Sequence, residues 1–471
     1  MNILMVASEA TPFAKTGGLA DVLGALPAAL QARGERTAVV IPGYRLNQYP
    51  EPPRIAYRSL WIPIGTGYLA DIYQATEREV TFYFVDCPAL FDRDGIYGSG
   101  GKDYPDNYLR FAVLSMAALG VARHLFRPQI IHLHDWQAAL APVYLREHFA
   151  NDPTFSGVKT LFTIHNLGYQ GIFGPEAVAA LGLDSRLFNP SQLEFFGKFN
   201  LLKGGVAFSD AISTVSKGYA REIQTPEYGF GLDGFLRDHG PIYGIVNGVD
   251  YVEWNPEHDP HIAHNYSVDD LSGKRECKRA LLEELGLAVG DLTQPLIGVV
   301  SRFAAQKGFD LIADAASRLM EENLHLAVLG SGDAQYESMF QALAQAYPER
   351  VAVRIGYDNA LSHRIEAGAD MFLMPSLYEP CGLSQIYSLR YGTIPVVRAT
   401  GGLDDTIEED TGFKFREYAG DALLQAIGLA LRAYKDRAVW VRMMQRGMRK
   451  DFSWSTAAVE YLALYRQLLS A

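Results

Sequence analysis

Cysteine is scarce: Cys87, Cys277 and Cys381 are the three in 471 residues. They are too few and too far apart for a disulfide framework or a metal knuckle, which points to a reducing compartment. Basic residues are in deficit as well. Against 54 Asp plus Glu stand 42 Lys plus Arg, a formal net charge of -12. Such a chain repels phosphate polymers at long range, so nucleic acid and anionic membrane are excluded as main partners. A small anion held by a few local cations is not. The N-terminus has no basic n-region or small-residue cleavage site, because its apolar run Ile3 to Ala7 stops at Ser8-Glu9. A soluble, unexported, cytoplasmic protein is expected. The longest uncharged apolar stretch, FAVLSMAALGVA at 111–122, falls short of the roughly 20 residues that a bilayer requires and reads as a buried helix. Low-complexity tracts, a GxSxG elbow and an HExxH motif are absent.

What is present is the composition of a globular protein, 48% hydrophobic, 12% aromatic and 20% charged, in a chain longer than one hydrophobic core accommodates. Short β-branched runs alternate with helical patterns: ILMVA (3–7), TAVVI (37–41), TFYFV (81–85), QIIHL (129–133), KTLFTI (159–164) and AISTV (211–215). Runs apolar on both faces and separated by helices predict a parallel sheet in an α/β layer architecture. In the first helix Leu19, Val22, Leu23, Leu26 and Leu30 make the apolar face, and Pro27 predicts a kink or early stop. Gly, Asp, Asn and Pro concentrate at 248–256, which places a domain boundary there. A second series follows: PLIGVV (295–300), HLAVLG (325–330), VAVRI (351–355), MFLMP (371–375) and IPVV (394–397). The expected domains are 1–250 and 251–454. A terminal helix, 455–471, with Val459, Leu462, Tyr465, Leu468 and Leu469 on one face, is long enough to pack on something and is expected to join the first domain.

In open α/β sheets ligands bind beyond the carboxyl ends of strands, so the loops there carry the candidates. KTGGLADV (15–22) leaves the first strand through a lysine and two glycines, with a helix starting just beyond. Glycine permits positive φ and close approach of main-chain N–H groups, a combination suited to an anion, although the stretch matches neither GxGxxG nor the P-loop. SRFAAQKGFDLIADAASRL (301–319) puts Arg302 and Lys307 on one strand-to-helix loop, ahead of a face made by Phe309, Ile312, Ala316 and Leu319. Two cations near a helix start become favourable when a dianion binds between them. SLYEPCGLSQIYSLRYG (376–392) sets Glu379 beside Gly382, Leu383 and Ser384, a carboxylate for sugar hydroxyls next to amides for phosphate. IIHLHDWQAAL (130–140) and FTIHNLGYQG (162–171) place histidines at strand ends. His132, His134 and Asp135 lack a completing metal ligand and read as a polar network. DRD at 92–94 resembles a metal-chelating DxD but occurs easily by chance in so acidic a chain. TGGLAD (16–21) and TGGLDD (400–405) read as independent loops of similar shape.

Taken in order, KTGGLADV, HLHDWQAAL, FTIHNLGYQG, GIVNGVD, SRFAAQKG, IGYDNALSHRI, PSLYEPCGLSQ and ATGGLDDT resemble the bacterial glycogen synthase and plant starch synthase family across nearly the whole chain. The resemblance implies a GT-B architecture of two Rossmann-like domains facing a central cleft. It also implies transfer of glucose from ADP-glucose to the non-reducing end of an α-1,4-glucan such as glycogen, with retention and with no metal or other cofactor. By similarity, Arg302 and Lys307 neutralise the departing phosphates, assisted by amides around Gly382 and Leu383. Glu379 binds glucose hydroxyls, Tyr357 lies against adenine, His165 sits at the reacting sugar and Asn247 matches a cleft residue of the family. Lys15 with the Gly17-Gly18 backbone meets the donor phosphates, Asp21 faces the acceptor, and Cys381 and Ser384 belong to the donor loop. Related retaining transferases carry a second glutamate where this chain has Tyr387, a gap expected in the starch-synthase-like branch. Two other readings use parts of the same pattern. A GT-B sugar-nucleotide epimerase also needs a nucleotide cradle, and a non-catalytic glucan-binding protein accounts for 26 tyrosines and 24 phenylalanines.

Overall fold

The computed structural model describes residues 1–470. The chain divides into two compact units, one formed by 1–215, 220–248 and the segment from Trp454 onward, the other by 216–219 and 249–453. In the first, nine strands form one sheet: β1 (Asn2–Val6), β2 (Arg36–Pro42), β3 (Arg54–Ile62), β4 (Tyr68–Glu77), β5 (Val80–Asp86), β6 (Ile130–His134), β7 (Lys159–Ile164), β8 (Ala211–Thr214) and β9 (Ile242–Gly244). Their order is β9-β8-β7-β6-β1-β2-β5-β4-β3. The interior strands are apolar on both faces, as helices on both sides of a parallel sheet require. One edge departs from the parallel expectation, because β4 runs antiparallel to both β3 and β5. RIAYRSLWI and YLADIYQATE, absent from the apolar runs, mix exposed and buried positions, as a half-solvated edge does.

The helix Gly18–Gln31 runs four residues past Pro27 and does not stop at it. The Pro27 carbonyl takes a hydrogen bond from Thr37 Oγ1 at 3.0 Å, and burial of Val22, Leu23, Leu26 and Leu30 holds the helix to the sheet. The C-terminal helix, Trp454–Ser470, packs into the same core through Trp454, Tyr461, Leu462, Tyr465 and Leu468. Val459, expected on that face, is 49% exposed. The true stripe follows 454, 457–458, 461–462, 464–465 and 468, so Val459 lies on the opposite side. The helix Asn107–Val121 continues as a π-helical turn over Ala122–Phe126. Together they make 20 residues whose most apolar window has a mean hydropathy of 1.4, longer than the uncharged stretch alone suggests. Of the most apolar window 72% is buried within the protein, the behaviour of a core helix.

The second unit is wholly parallel: β10 (Leu296–Val300), β11 (His325–Gly330), β12 (Val351–Ile355), β13 (Met371–Met374), β14 (Ile394–Arg398) and β15 (Phe413–Phe415), in the order β12-β11-β10-β13-β14-β15. Only the three-residue β15 was not apparent in the apolar pattern. On the helix Phe309–Leu319 the buried face includes Leu311 and Ala315, while the expected Ala316 is only partly covered. Tyr387, at the position of the missing glutamate, has a structural part. Its ring stacks on Trp254 at 4.0 Å, and Trp254 stacks in turn on His363 at 3.8 Å.

Candidate active site

The topology says where to look. In each sheet the winding direction reverses once, between β1 and β6 in the first unit and between β10 and β13 in the second. The loops leaving those strand pairs diverge and open a crevice at their carboxyl ends. KTGGLADV and HLHDWQAAL follow the first pair, and SRFAAQKG and PSLYEPCGLSQ follow the second.

In the second unit the loops after β10 and β13 are pinned to each other. Leu377 N donates to Gln306 O at 2.8 Å, and Gln306 Nε2 donates to Tyr378 O at 3.2 Å. Gly308 has φ +71, and a Cβ there would lie 2.0 Å from Pro375 O, so only glycine fits the crossing. This brings Lys307 Nζ to 2.7 Å from Glu379 Oε2, with side chains 19% and 7% exposed. Ser376 Oγ donates to the same carboxylate oxygen at 2.9 Å. Arg302, on the same loop, is exposed and makes no ion pair among the described residues. The two cations therefore do not simply repel each other across an empty space: Lys307 is neutralised by Glu379, and Arg302 is the uncompensated charge. Gly382 turns the chain at φ +71. Leu383 and Ser384 then begin the helix Ser384–Arg390. Cys381 is buried and its carbonyl accepts from Gln385 Nε2 at 3.0 Å. Its place on this loop is thus made by its backbone, and its thiol is covered. Tyr357 is 85% exposed, an aromatic face open to a ligand ring.

In the first unit KTGG is organised by a residue that motif reading overlooked, the buried Glu9. Its carboxylate accepts from Thr16 N, from Thr16 Oγ1 at 3.0 Å, from Gly17 N at 3.3 Å and from Tyr97 OH at 2.7 Å. The sequence shows Glu9 only as the carboxylate that ends the first apolar run, and its burial is seen in the structure alone. The glycines do not serve positive φ, since Gly17 is extended at φ -157 and Gly18 opens the helix. A Cβ on Gly17 would meet nothing within 4 Å, so what glycine leaves there is open backbone. Gly401, its counterpart in TGGLDD, has φ +47, and the two loops differ in shape. Lys15 Nζ lies 2.6 Å from Asp21 Oδ1, which joins two residues assigned separate roles.

The loops after β6 and β7 carry the histidines. Tyr465 OH bonds His132 Nδ1 at 2.7 Å, and His132 Nε2 bonds Thr163 Oγ1 at 2.6 Å. His134 Nδ1 bonds His165 Nε2 at 2.9 Å. Burial holds His132 and His134 well below the usual histidine range and His165 down to about 3, so the network is neutral. Asp135, at φ +58, accepts from His165 N at 2.7 Å. Burial pushes its carboxyl up to about 7 against that hydrogen bond. Asn247 Oδ1 is buried with no partner, an acceptor still to be satisfied. Asp92 and Asp94 of DRD pair with Arg45, and among the described residues no three His, Cys, Asp or Glu side chains converge as a metal site.

Residues 2–238 match the model of the starch synthase catalytic domain, and 289–446 match glycosyl transferases group 1. Glycogen synthase from Koribacter versatilis (strain Ellin345) is 52% identical over 477 residues, covering 99% of this chain and 98% of that protein. The chain belongs to the glycogen synthase and starch synthase family. Glycogen synthase from Anaeromyxobacter dehalogenans (strain 2CP-1) is 48% identical, with 99% of each chain covered. The catalytic domain of starch synthase IV from Arabidopsis thaliana, bound to ADP and acarbose, superposes with a TM-score of 0.90 at 33% identity, over 100% of this chain and 99% of that one. The architecture is GT-B, with two Rossmann-like domains, and the chain is a glycosyltransferase of the family that makes glycogen and starch. Neither an epimerase nor a non-catalytic binding role is favoured by these likenesses. Glu9, outside the family motifs, and Asp135 and Ser376, within them, emerge as positioning residues: each holds a loop or side chain that the motifs name.

Proposed function

We propose that this glycosyltransferase moves glucose from ADP-glucose to the 4-hydroxyl at the non-reducing end of an α-1,4-glucan, with retention, in the cytoplasm and without a metal. The observation that carries the reading is the Lys307–Glu379 pair at the sheet's reversal point. Cleavage of the bond between glucose C1 and the phosphate oxygen leaves the electron pair on ADP and positive charge on the sugar. The new bond forms from the acceptor oxygen to C1, and the acceptor proton passes to the departing diphosphate. Such a transition state asks for cations behind the leaving group and electron-rich atoms beside the sugar.

Arg302 and Lys307 meet the first demand, with backbone amides at Gly382, Leu383 and Ser384. Glu379 meets the second by accepting hydrogen bonds from the sugar's hydroxyls, and the unpartnered Asn247 Oδ1 does likewise. Tyr357 stacks on the base, and His165, neutral throughout the physiological range, hydrogen-bonds the reacting sugar. Lys15 and the open backbone at Gly17 and Gly18 add phosphate contacts, while Asp21 sets the direction of Lys15 and faces the acceptor. A solved relative holding ADP and acarbose supports a nucleotide diphosphate and a saccharide as ligands of this family.

The test is radiolabelled ADP-glucose against UDP-glucose with glycogen, with and without a chelator. Label incorporated as α-1,4-linked, amylase-sensitive chains, preferentially from ADP-glucose and unaffected by the chelator, is expected. Release of ADP without chain lengthening overturns the transfer reading, equal use of UDP-glucose overturns the donor, and loss with chelator overturns metal independence.

A further inference from the structure

A three-stranded antiparallel sheet, Ile172–Phe173, Lys198–Asn200 and Glu194–Phe195, lies apart from the main sheet of the first unit. At its hairpin tip Phe196 is 81% exposed, and nearby on the same frame Tyr169, Ile172 and Phe230 are 55, 41 and 41% exposed. Phe196 and Phe230 share a second peculiarity. Their φ angles are +49 and +48, and each precedes a glycine that is also left-handed, Gly197 at +76 and Gly231 at +82. Bulky side chains rarely adopt this region, and strain of this kind persists where the surroundings impose it and a function uses it. The two Phe-Gly turns touch: a Cβ on Gly231 would sit 3.0 Å from the Phe195 ring and 3.3 Å from that of Phe196.

The frame beneath is hydrogen-bonded throughout and continuous with the His165 loop. Asn200 Nδ2 donates to Gln170 Oε1 at 2.6 Å, and Gln170 Nε2 donates to Phe230 O at 3.2 Å. Lys203 Nζ donates to Glu194 O at 2.6 Å and Gly197 N to Glu194 Oε1 at 2.6 Å. Leu201 N and Leu202 N donate to Gly171 O and Gln170 O, both at 3.0 Å. Gly171 packs against Trp136, the neighbour of the Asp135 that holds His165.

We infer that Phe196 and Phe230, with Tyr169 and Ile172, form a stacking platform for the glucan acceptor. The inference rests on the transfer reading above. A pyranose has apolar C–H faces and a polar rim, so it is matched by a few exposed rings, whereas a stable protein partner requires roughly 20–30 residues a side. Four side chains on a strained tip are too small for the second and suited to the first.

The experiment uses the full chain with Phe196→Asn, Phe230→Asn, the double variant and Phe196→Tyr. Asparagine tolerates left-handed φ, so the backbone survives while the ring is lost. Expected are a roughly tenfold rise in KM for maltoheptaose in each Asn variant, about the effect of one lost ring contact, a matching loss of donor-free maltoheptaose binding by calorimetry, and near-normal values for Phe196→Tyr. KM for ADP-glucose and Tm stay unchanged. An unchanged acceptor KM and binding in the double variant overturns the platform, as does a loss accompanied by an equal rise in ADP-glucose KM or a fall in Tm. If the wild type transfers nothing, the transfer reading fails, and donor-free binding still decides the platform.

Discussion

Lys307 and Glu379 form a pair whose partners cannot be removed singly without consequence. Truncating Lys307 leaves a carboxylate 7% exposed without its cation, and truncating Glu379 leaves the sugar hydroxyls unmatched. Either Lys307→Ala or Glu379→Ala is expected to lower kcat roughly a hundredfold or more while glycogen binding persists, checked by initial rates beside affinity electrophoresis. Asp135 lends itself to a pH experiment. Its folded pKa of about 7 lies above the ordinary 3.8, so the folded chain holds a proton that the unfolded chain has released. The stability this gives is fully present below about 3.8 and is lost as pH rises toward about 7. Asp135→Asn keeps an acceptor for His165 N and tolerates the left-handed φ, but does not titrate. The difference in Tm, variant minus wild type, should therefore become more positive from pH 4 to 7 and level off above, measured by thermal denaturation across that range. A flat difference refutes the ionisation assigned to Asp135. Residues with a motif around them, such as Lys307, Glu379 and His165, were legible in the sequence. Glu9, outside every motif, was not, because its importance lies in what it holds; Ser376 sits inside PSLYEPCGLSQ, but its tie to Glu379 is a tertiary contact.

At the scale of elements, the central strands could be read almost to the residue. KTLFTI and HLAVLG coincide with β7 and β11, since a strand buried on both faces between helices writes an unbroken apolar run. The edge hairpin β3–β4 and the short β15 write weaker patterns, being solvated or only three residues long. Loop crossings were illegible for a different reason: which backbones approach each other is a tertiary fact. Gly402 shows it. Its N donates to Glu379 O at 3.0 Å, and a Cβ there would stand 2.1 Å from Cys381 O. Gly402→Ala is expected to lower stability by about 2–4 kcal/mol and to lower activity by displacing the Glu379 loop, read by denaturant unfolding and initial rates. Wild-type stability in that variant would show the contact to be soft.

For the molecule as a whole, the return of the last helix to the first unit makes folding of that unit depend on both ends of the chain. Tyr465 is fully buried and its hydroxyl reaches His132, next to the histidines of the site. Tyr465→Ala is expected to cost about 3–5 kcal/mol by leaving a cavity, whereas Tyr465→Phe, which only strands His132 Nδ1, costs about 1–3 kcal/mol. Equal losses in the two variants would show that packing is not what holds the helix. From composition, periodicity and motif order alone came the two-part α/β organisation, the strands at the heart of each sheet, the family and the loops that bear the chemistry, because each is a local or ordered property of the chain. The tertiary structure alone decided that Lys307 is already paired with Glu379, that Glu9 holds the KTGG amides, that Val459 faces water and that two strained phenylalanines share one tip. Those facts depend on distances between residues far apart in sequence, and a linear pattern carries no such distances.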